Sequence, residues 1–319
     1  MADTSLWVNE GDVLHSPLLS EKMRFAAQPM LRFRRFVDVK PAFGMGNGDT
    51  FNWDKTADVA NPGGKLVETT TFHQTSQTPT KGTLTVYEYG NSIPYTFKMR
   101  ALASFDIERI VKKGLADDMA KITDASAERK FNATKLRYVG SSTTTHALTT
   151  NGTATATNSS VLNEYHVRKM RLELEKRNVK EISNGFIGIF SLEAVEGLMG
   201  AEKSTNQYTE TGYSKIIEGE IGMLNGVRII KENNATRNTY NLDNRTKTAD
   251  SWTNSLSLNG YVFGQDNIVE AIAVPEEVRA KEVTDYGRSR GLAWYTIMGH
   301  EIVWNTAADS KIIKWDSAA

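Results

Sequence analysis

The sequence predicts an α+β fold, and three observations carry that prediction. Thr-rich, strand-like alternation fills much of the chain before residue 100; one very long helical pattern follows; strands and helices then alternate toward a β-rich end. The first 30 residues scatter Leu6, Trp7, Val8, Val13, Leu14, Leu18 and Leu19 without a sustained period, the pattern of an arm whose apolar groups need a host surface. MLRFRRFVDVK then alternates, with Leu31, Phe33, Val37 and Val39 against Arg32, Arg34 and Asp38, as a half-buried strand does. A solvated strand face is the expected reading of Arg32, Arg34 and Arg35.

From Gly44 to Met99 the chain reads as turns and polar strands: GMGNGD, DTFNWD, the turn NPGG, KLVETTT and KGTLTVYEYG, ending in SIPYTFKM with Ile93, Tyr95, Phe97 and Met99 alternating. A ribbon so poor in apolar residues does not stand alone, because an isolated hairpin is marginal in water. It leans on its own subunit or on a neighbour. SFDIERIVKKGLADDMAKITDASAERKF is the strongest helix. Ser104 is its expected N-cap, Asp106 and Glu108 load the first turn with negative charge, and Ile107, Val111, Leu115, Met119 and Ile122 repeat at helical spacing. At 1.5 Å per residue it spans about 40 Å, a length suited to an elongated body.

Ser141 to Ser160 hold twelve Ser/Thr in twenty residues, with Leu148 the one sizeable apolar group, so an exposed loop or edge hairpin is expected there. A second helix, NEYHVRKMRLELEKRN, precedes the strand GFIGIFS and a short helix capped by Ser191 and stopped by Gly200. GEIGMLNGVRIIKENNA then packs Gly219, Gly222 and Gly226 ahead of the strand carrying Val227, Ile229 and Ile230; glycines placed so admit a tight turn or a close approach. A polar loop, roughly Asn233 to Ser255, leads to the strand pair GYVFGQDN and VEAIAV. GLAWYTIMGHEIVWN and SKIIKW read as a last apolar meander.

Composition narrows the chemistry. The 319 residues balance 38 basic against 38 acidic side chains, so no global field gathers nucleic acid or anionic membrane. The chain has no cysteine, which removes disulfides, thiol catalysis and thiolate metal sites, and it has five histidines. Asp3, Glu10 and Asp12 interrupt what a signal peptide would keep basic and apolar, and no window reaches a membrane span; a soluble protein acting where it is made is the expectation.

No motif reaches a catalytic constellation. His300 and Glu301 open HEIVW, but Trp304 stands where a zincin has its second histidine, and the alternation says strand. GMGNGD lacks the Lys-Ser/Thr of a phosphate loop. His166, beside Glu164 and Arg168, reads as surface decoration; His73 and His146 fall in Thr-rich loops and His15 in the arm, none with a second ligand nearby. The sequons at Asn132, Asn151 and Asn234 have no meaning without secretion. Catalytic, cofactor-binding and metal-ligating residues are therefore assigned to no position, and no cofactor is expected.

The runs GEIGMLNGVRII, LNGYVFGQDNIVEA and YGRSRGLAWYTIMGHEIVWNTAADSKIIKW resemble major capsid proteins of tailed bacteriophages with the Hong Kong 97-type fold, in particular the N-four-like phage branch. The similarity of organisation covers nearly the whole chain; the motif-level match lies in about the last hundred residues. The resemblance implies an N-terminal arm over 1–40 and an extended β-hairpin E-loop over 41–99. It further implies a P-domain with a long spine helix over 100–162 and 275–319, and an α/β A-domain over 163–274. It implies a coat protein, not an enzyme, that self-assembles as hexamers and pentamers into an icosahedral head enclosing double-stranded DNA without sequence-specific binding. Portal, scaffolding and decoration proteins are the partners it implies; the compartments are the virion and the bacterial host cytoplasm where heads assemble. The Ser/Thr-rich insertion departs from the family pattern and reads as a surface excursion or an accessory-protein site. A nanocompartment shell of the same fold, told apart by neighbouring genes, is one alternative. Others are a carbohydrate- or receptor-binding virion protein, favoured by the Thr-rich strands and disfavoured by the long helix, and a metallohydrolase using His300.

Overall fold

A computed structural model describes residues 31–40, 48–56, 58–59, 63–69, 71–72, 74–192, 194–198, 222–232, 240–241, 246–247 and 259–317. In chain order the strands are β1 (Asp38–Lys40), β2 (Thr50–Lys55), β3 (Thr80–Thr85) and β4 (Tyr87–Thr96). Helices α1 (Phe97–Leu102) and α2 (Ile107–Asn132) follow, then β5 (Leu136–Ser142), β6 (Thr145–Thr149), α3 (Glu164–Lys176) and β7 (Phe186–Ser191). The rest is strand: β8 (Met223–Leu224), β9 (Val227–Glu232), β10 (Tyr240–Asn241), β11 (Thr246–Lys247), β12 (Gly260–Phe263), β13 (Ile268–Ala280), β14 (Ser289–Ile302) and β15 (Ile312–Trp315). They form a four-stranded sheet, β1-β13-β14-β4, a seven-stranded sheet, β6-β5-β15-β12-β7-β9-β8, and two ribbons, β2-β3 and β10-β11.

The long helix is present, with its start moved. Asp106, not Ser104, is the cap: its carboxylate accepts from the amides of Glu108 and Arg109 at 3.0 and 3.4 Å. Along its first half Ile107, Val111 and Leu115 bury one stripe against Tyr95 of β4 and Trp294 of β14. In its second half every residue from Thr123 to Ala127 is buried, and exposure returns at Arg129. Ala125, Ser126 and Ala127 suit a helix so enclosed, since small side chains let packed elements approach. Upstream, the alternation through Met99 does not continue as strand. Thr96 accepts the Met99 amide at 3.2 Å and starts α1 there.

The last third rearranges the expected meander. GYVFGQDN and VEAIAV are not a pair: β12 lies in the seven-stranded sheet and β13 in the four-stranded one, and Asp266, at φ 52°, sits in the bend that separates them. β13 and β14 form a long antiparallel hairpin with a bulge between Ile272 and Glu277. SKIIKW then returns as β15 to the middle of the seven-stranded sheet, antiparallel to β12 and parallel to β5. Each sheet draws on distant stretches of chain: β5, β6 and β15 share a sheet with β7, β9 and β12, while β4 pairs with β14.

One face of the seven-stranded sheet is covered by α3 and residues 194–198, which bring Val167, Met170, Leu174, Ala194, Val195 and Leu198 against Phe190, Val262 and Trp315. The other face receives the end of α2 and the segment before β1, joined through Phe33, Phe131, Tyr261 and Phe263.

Candidate functional site

Histidines are the usual carriers of acid/base or metal chemistry. His300 lies on β14 as a strand residue, 4% exposed. Its Nδ1 is 3.0 Å from Ser126 Oγ and its Nε2 is 3.8 Å from a Glu270 carboxylate oxygen. Burial, with Arg34 and Lys130 nearby, holds its pKa down to about 3, so the ring is neutral. Trp304 falls beyond the end of β14. Among the described residues no group of three or more His, Asp or Glu side chains is placed to hold a metal. A cleft of about 320 Å³ opens beside His300 between β4 and α2, lined also by Tyr87, Tyr89, Arg129 and Lys130.

His166 is not the surface residue its sequence neighbours indicate. It is fully buried at the start of α3, with Tyr138 Oη 3.0 Å from Nδ1 and Ser160 Oγ 3.2 Å from Nε2. Burial holds its pKa down to about 4. The Ser160–His166 contact lacks the carboxylate that orients a catalytic imidazole, and Ser160 donates to the Val161 carbonyl at 3.1 Å. His146 lies on β6 and stacks on Tyr138 with ring centres 4.6 Å apart. These contacts pin the Ser/Thr-rich segment: β5 and β6 form a hairpin with β6 at the sheet edge, and the return leg is tied by Ser159 to Gly140 and by Asn158 to Ser317. His15 and His73 lie outside the described residues.

Arg34 centres a polar cluster. The segment read as a strand is instead a 3-10 turn over Arg34–Phe36, followed by only the three residues of β1. The reason is local. Phe33 is driven fully into the core against Phe131 and Tyr261, and Asp124 of α2 accepts the Arg34 amide at 3.0 Å, which holds the backbone out of extended form. The Arg34 guanidinium reaches Glu270 of β13, with Nη2 2.7 Å from one oxygen and Nε 3.0 and 3.2 Å from the pair, and it also pairs with Glu276. Glu270 is fully buried; desolvation pushes its carboxyl above the usual range while Arg34 pulls it back. This clamp fastens the root of the N-terminal segment to both α2 and the long sheet. Sequence reading missed it, although a charged residue inside the apolar run IVEAIAV is the visible sign of a buried pair.

The glycine run resolves at its hairpin. Asn225 and Gly226, both at positive φ (49° and 75°), form the two-residue connection between β8 and β9, the Asn-Gly turn that matches strand twist. A Cβ on Gly226 would land on the Arg171 guanidinium, which donates to the Asn225 carbonyl at 2.7 Å. The close neighbour is thus an α3 side chain. Gly222 is also at positive φ, and Gly219 lies outside the described residues.

The ribbon β2-β3 is packed only at its base. Leu84, Phe51 and Trp53 rest against Val269, Ile297 and Val303, where Gly299 lets the Thr85 backbone cross β14 closely. Beyond that base, none of the described residues between Gly48 and Lys81 is buried, and Leu66, Val67 and Phe72 stand exposed, Phe72 to 75%.

No protein-family model matches the chain, and no curated protein matches it in sequence. Solved structures do match in fold. The capsid of cyanophage P-SCSP1u aligns with a TM-score of 0.66 at 12% identity, over 97% of this chain and 94% of that one. The head structure of Helicobacter pylori bacteriophage KHP40 gives 0.68 at 12% identity, over 93% of each chain. The cyanophage Pam1 capsid asymmetric unit gives 0.61 at 12% identity, over the full length of both. The chain has the mixed α+β fold found in these bacteriophage capsid structures.

Proposed function

We propose that this chain is the major capsid protein of a tailed bacteriophage, a Hong Kong 97-type coat subunit of the N-four-like branch. It self-assembles as hexamers and pentamers into an icosahedral head around packaged double-stranded DNA. The observation that carries this is the likeness to capsid chains over nearly the whole length of both partners. On this reading the segment up to Lys40 is the N-arm and the ribbon β2-β3 with its exposed connection is the E-loop. Helix α2 is the spine of a P-domain over 100–162 and 275–319, and α3 with β7, β8, β9 and β12 belongs to an A-domain over 163–274.

The ribbon supports the reading independently. Its exposed Leu66 and Phe72 gain a host when they lie on an adjacent copy, where backbone pairing and dispersed burial supply further contacts. Each such contact is weak; many acting together close a shell. A net charge of zero suits a wall that neither repels packaged DNA nor grips it. Portal, scaffolding and decoration proteins are the further partners, the virion is the location, and assembly takes place in the host cytoplasm. The chain acts as a structural protein, not an enzyme. Expression of the chain alone, imaged by negative-stain electron microscopy, tests this: closed shells are expected, and a monomer at every concentration overturns it.

A further inference from the structure

The Ser/Thr-rich segment 141–160 contains no Asp, Glu, Lys or Arg, so His146 is its one side chain that titrates in the acidic range. It also has little to bury. Leu148 is half-buried at the edge of the core, and a hairpin with so few apolar groups is marginal in water. A stack of rings holds it instead. His146 lies flat on Tyr138 of β5, 4.6 Å away with 8° between the planes, and its Nδ1 is 3.3 Å from Tyr165 Oη of α3. Tyr138 in turn meets His166 edge-on at 5.7 Å, and the His166 ring also packs against Trp315 of β15 at 5.0 Å and Tyr165 at 5.3 Å. Ser160, at the end of the segment, lies over His166 through its Oγ, 3.2 Å from Nε2. One end of the segment thus supplies an imidazole and the other covers one.

Neither ring has a counter-ion. The titratable and charged groups around them are Tyr138 on β5 and Tyr165, Lys169, Glu173 and Lys176 on α3, while β15 presents Trp315. Glu173, the one carboxylate among these, is committed to Lys176 at 2.7 Å and to Arg177 at 3.0 Å. Arg137 of β5 donates to the Gly152 carbonyl at 3.1 Å, a tie that keeps its charge throughout the acidic range. A proton on either imidazole is therefore held away from water without compensation. Burial lowers both rings, His166 to about 4, and outweighs the Ser142 backbone contact that favours the charged form of His166.

We infer that the His146–Tyr138–His166 stack is an acid-released latch: with both rings neutral the 141–160 hairpin is closed on β5 and α3, and proton uptake by the rings frees it. Opening hydrates the rings, which then bind protons at their ordinary value of 6.5. Opening thus becomes easier as pH falls below 6.5, and the response of His166 levels off near 4, where the closed form takes its proton too. Release leaves β5 as an unpaired sheet edge.

Hydrogen-exchange mass spectrometry on the full chain tests this, with each rate corrected for its intrinsic pH dependence. Protection of 141–160 should fall about tenfold or more between pH 7 and pH 4.5, while β7 and β12 of the same sheet keep theirs. His146→Phe retains a stacked ring without a titrating nitrogen and should shrink the fall; adding His166→Gln should abolish it. A wild-type segment whose protection ignores pH overturns the latch, as does a fall shared equally by β7 and β12, or a full fall in the double variant. If the double variant does not fold, the wild-type slope decides. Uptake of about one proton or more per opening between pH 6 and pH 5 supports the latch, and a slope near zero overturns it.

Discussion

Arg34 shows how much one residue decides here. It is the one described cation contacting the fully buried Glu270, so Arg34→Ala strands a carboxylate in a dry site and should cost about 3 kcal/mol, read as a lower urea midpoint. Phe33 next to it is completely buried, and Phe33→Ala should cost a similar 3–5 kcal/mol through cavity formation. His300 and His166 set a pH dependence whose sign follows from their depressed values. Below the ordinary value of 6.5 the unfolded chain binds protons that the native rings exclude until about 3 and about 4, so stability from these two is present above 6.5 and lost as pH falls. Asp124 and Glu270, raised by burial, act the other way over acidic pH, so the informative measurement is a difference. His300→Gln should fall less steeply than the wild type between pH 6 and pH 4 in urea titrations, and equal slopes would show the ring to be irrelevant.

At the level of elements, local signals were legible where a single stretch of chain carries its own cause. The long helix, α3, β7 and β9 follow from spacing, while the caps at Asp106 and Asn163 were not read there. The 3-10 turn at Arg34 does not follow from spacing, because a partner 90 residues away, Asp124, holds the backbone there. Likewise the separation of β12 from β13 depends on which sheet has room for each, a matter of assembly that no window of sequence contains. The hairpin at Asn225-Gly226 lies between: its turn chemistry was readable, the Arg171 that fills the space beside it was not. Gly226→Val should therefore yield insoluble subunits, while Gly226→Asn, whose residue tolerates positive φ, should be less damaging despite the same crowding. Comparable soluble yields for the two variants would remove the backbone argument. Asp106→Ala, which takes away the α2 cap, should cost about 1 kcal/mol by urea unfolding.

On the scale of the molecule, the subunit divides into a body that completes itself and a ribbon that does not. Removing residues 56–79 and joining the strands by a short Gly-Ser turn should leave the melting temperature of the body nearly unchanged and abolish shells; shells from the truncated chain would take the ribbon out of assembly. The three described histidines, His146, His166 and His300, by type alone the natural place to seek chemistry, are packing and pinning groups. The position of β15 has a consequence in time. Its four residues fill the slot between strands that begin at Leu136 and Gly260, so the seven-stranded sheet stays open while a ribosome is still delivering everything before Ile312. The ribbon emerges early and the body closes late, so, on the proposed assembly, a growing polypeptide exposes its adhesive part long before it has a finished surface for another copy to grasp.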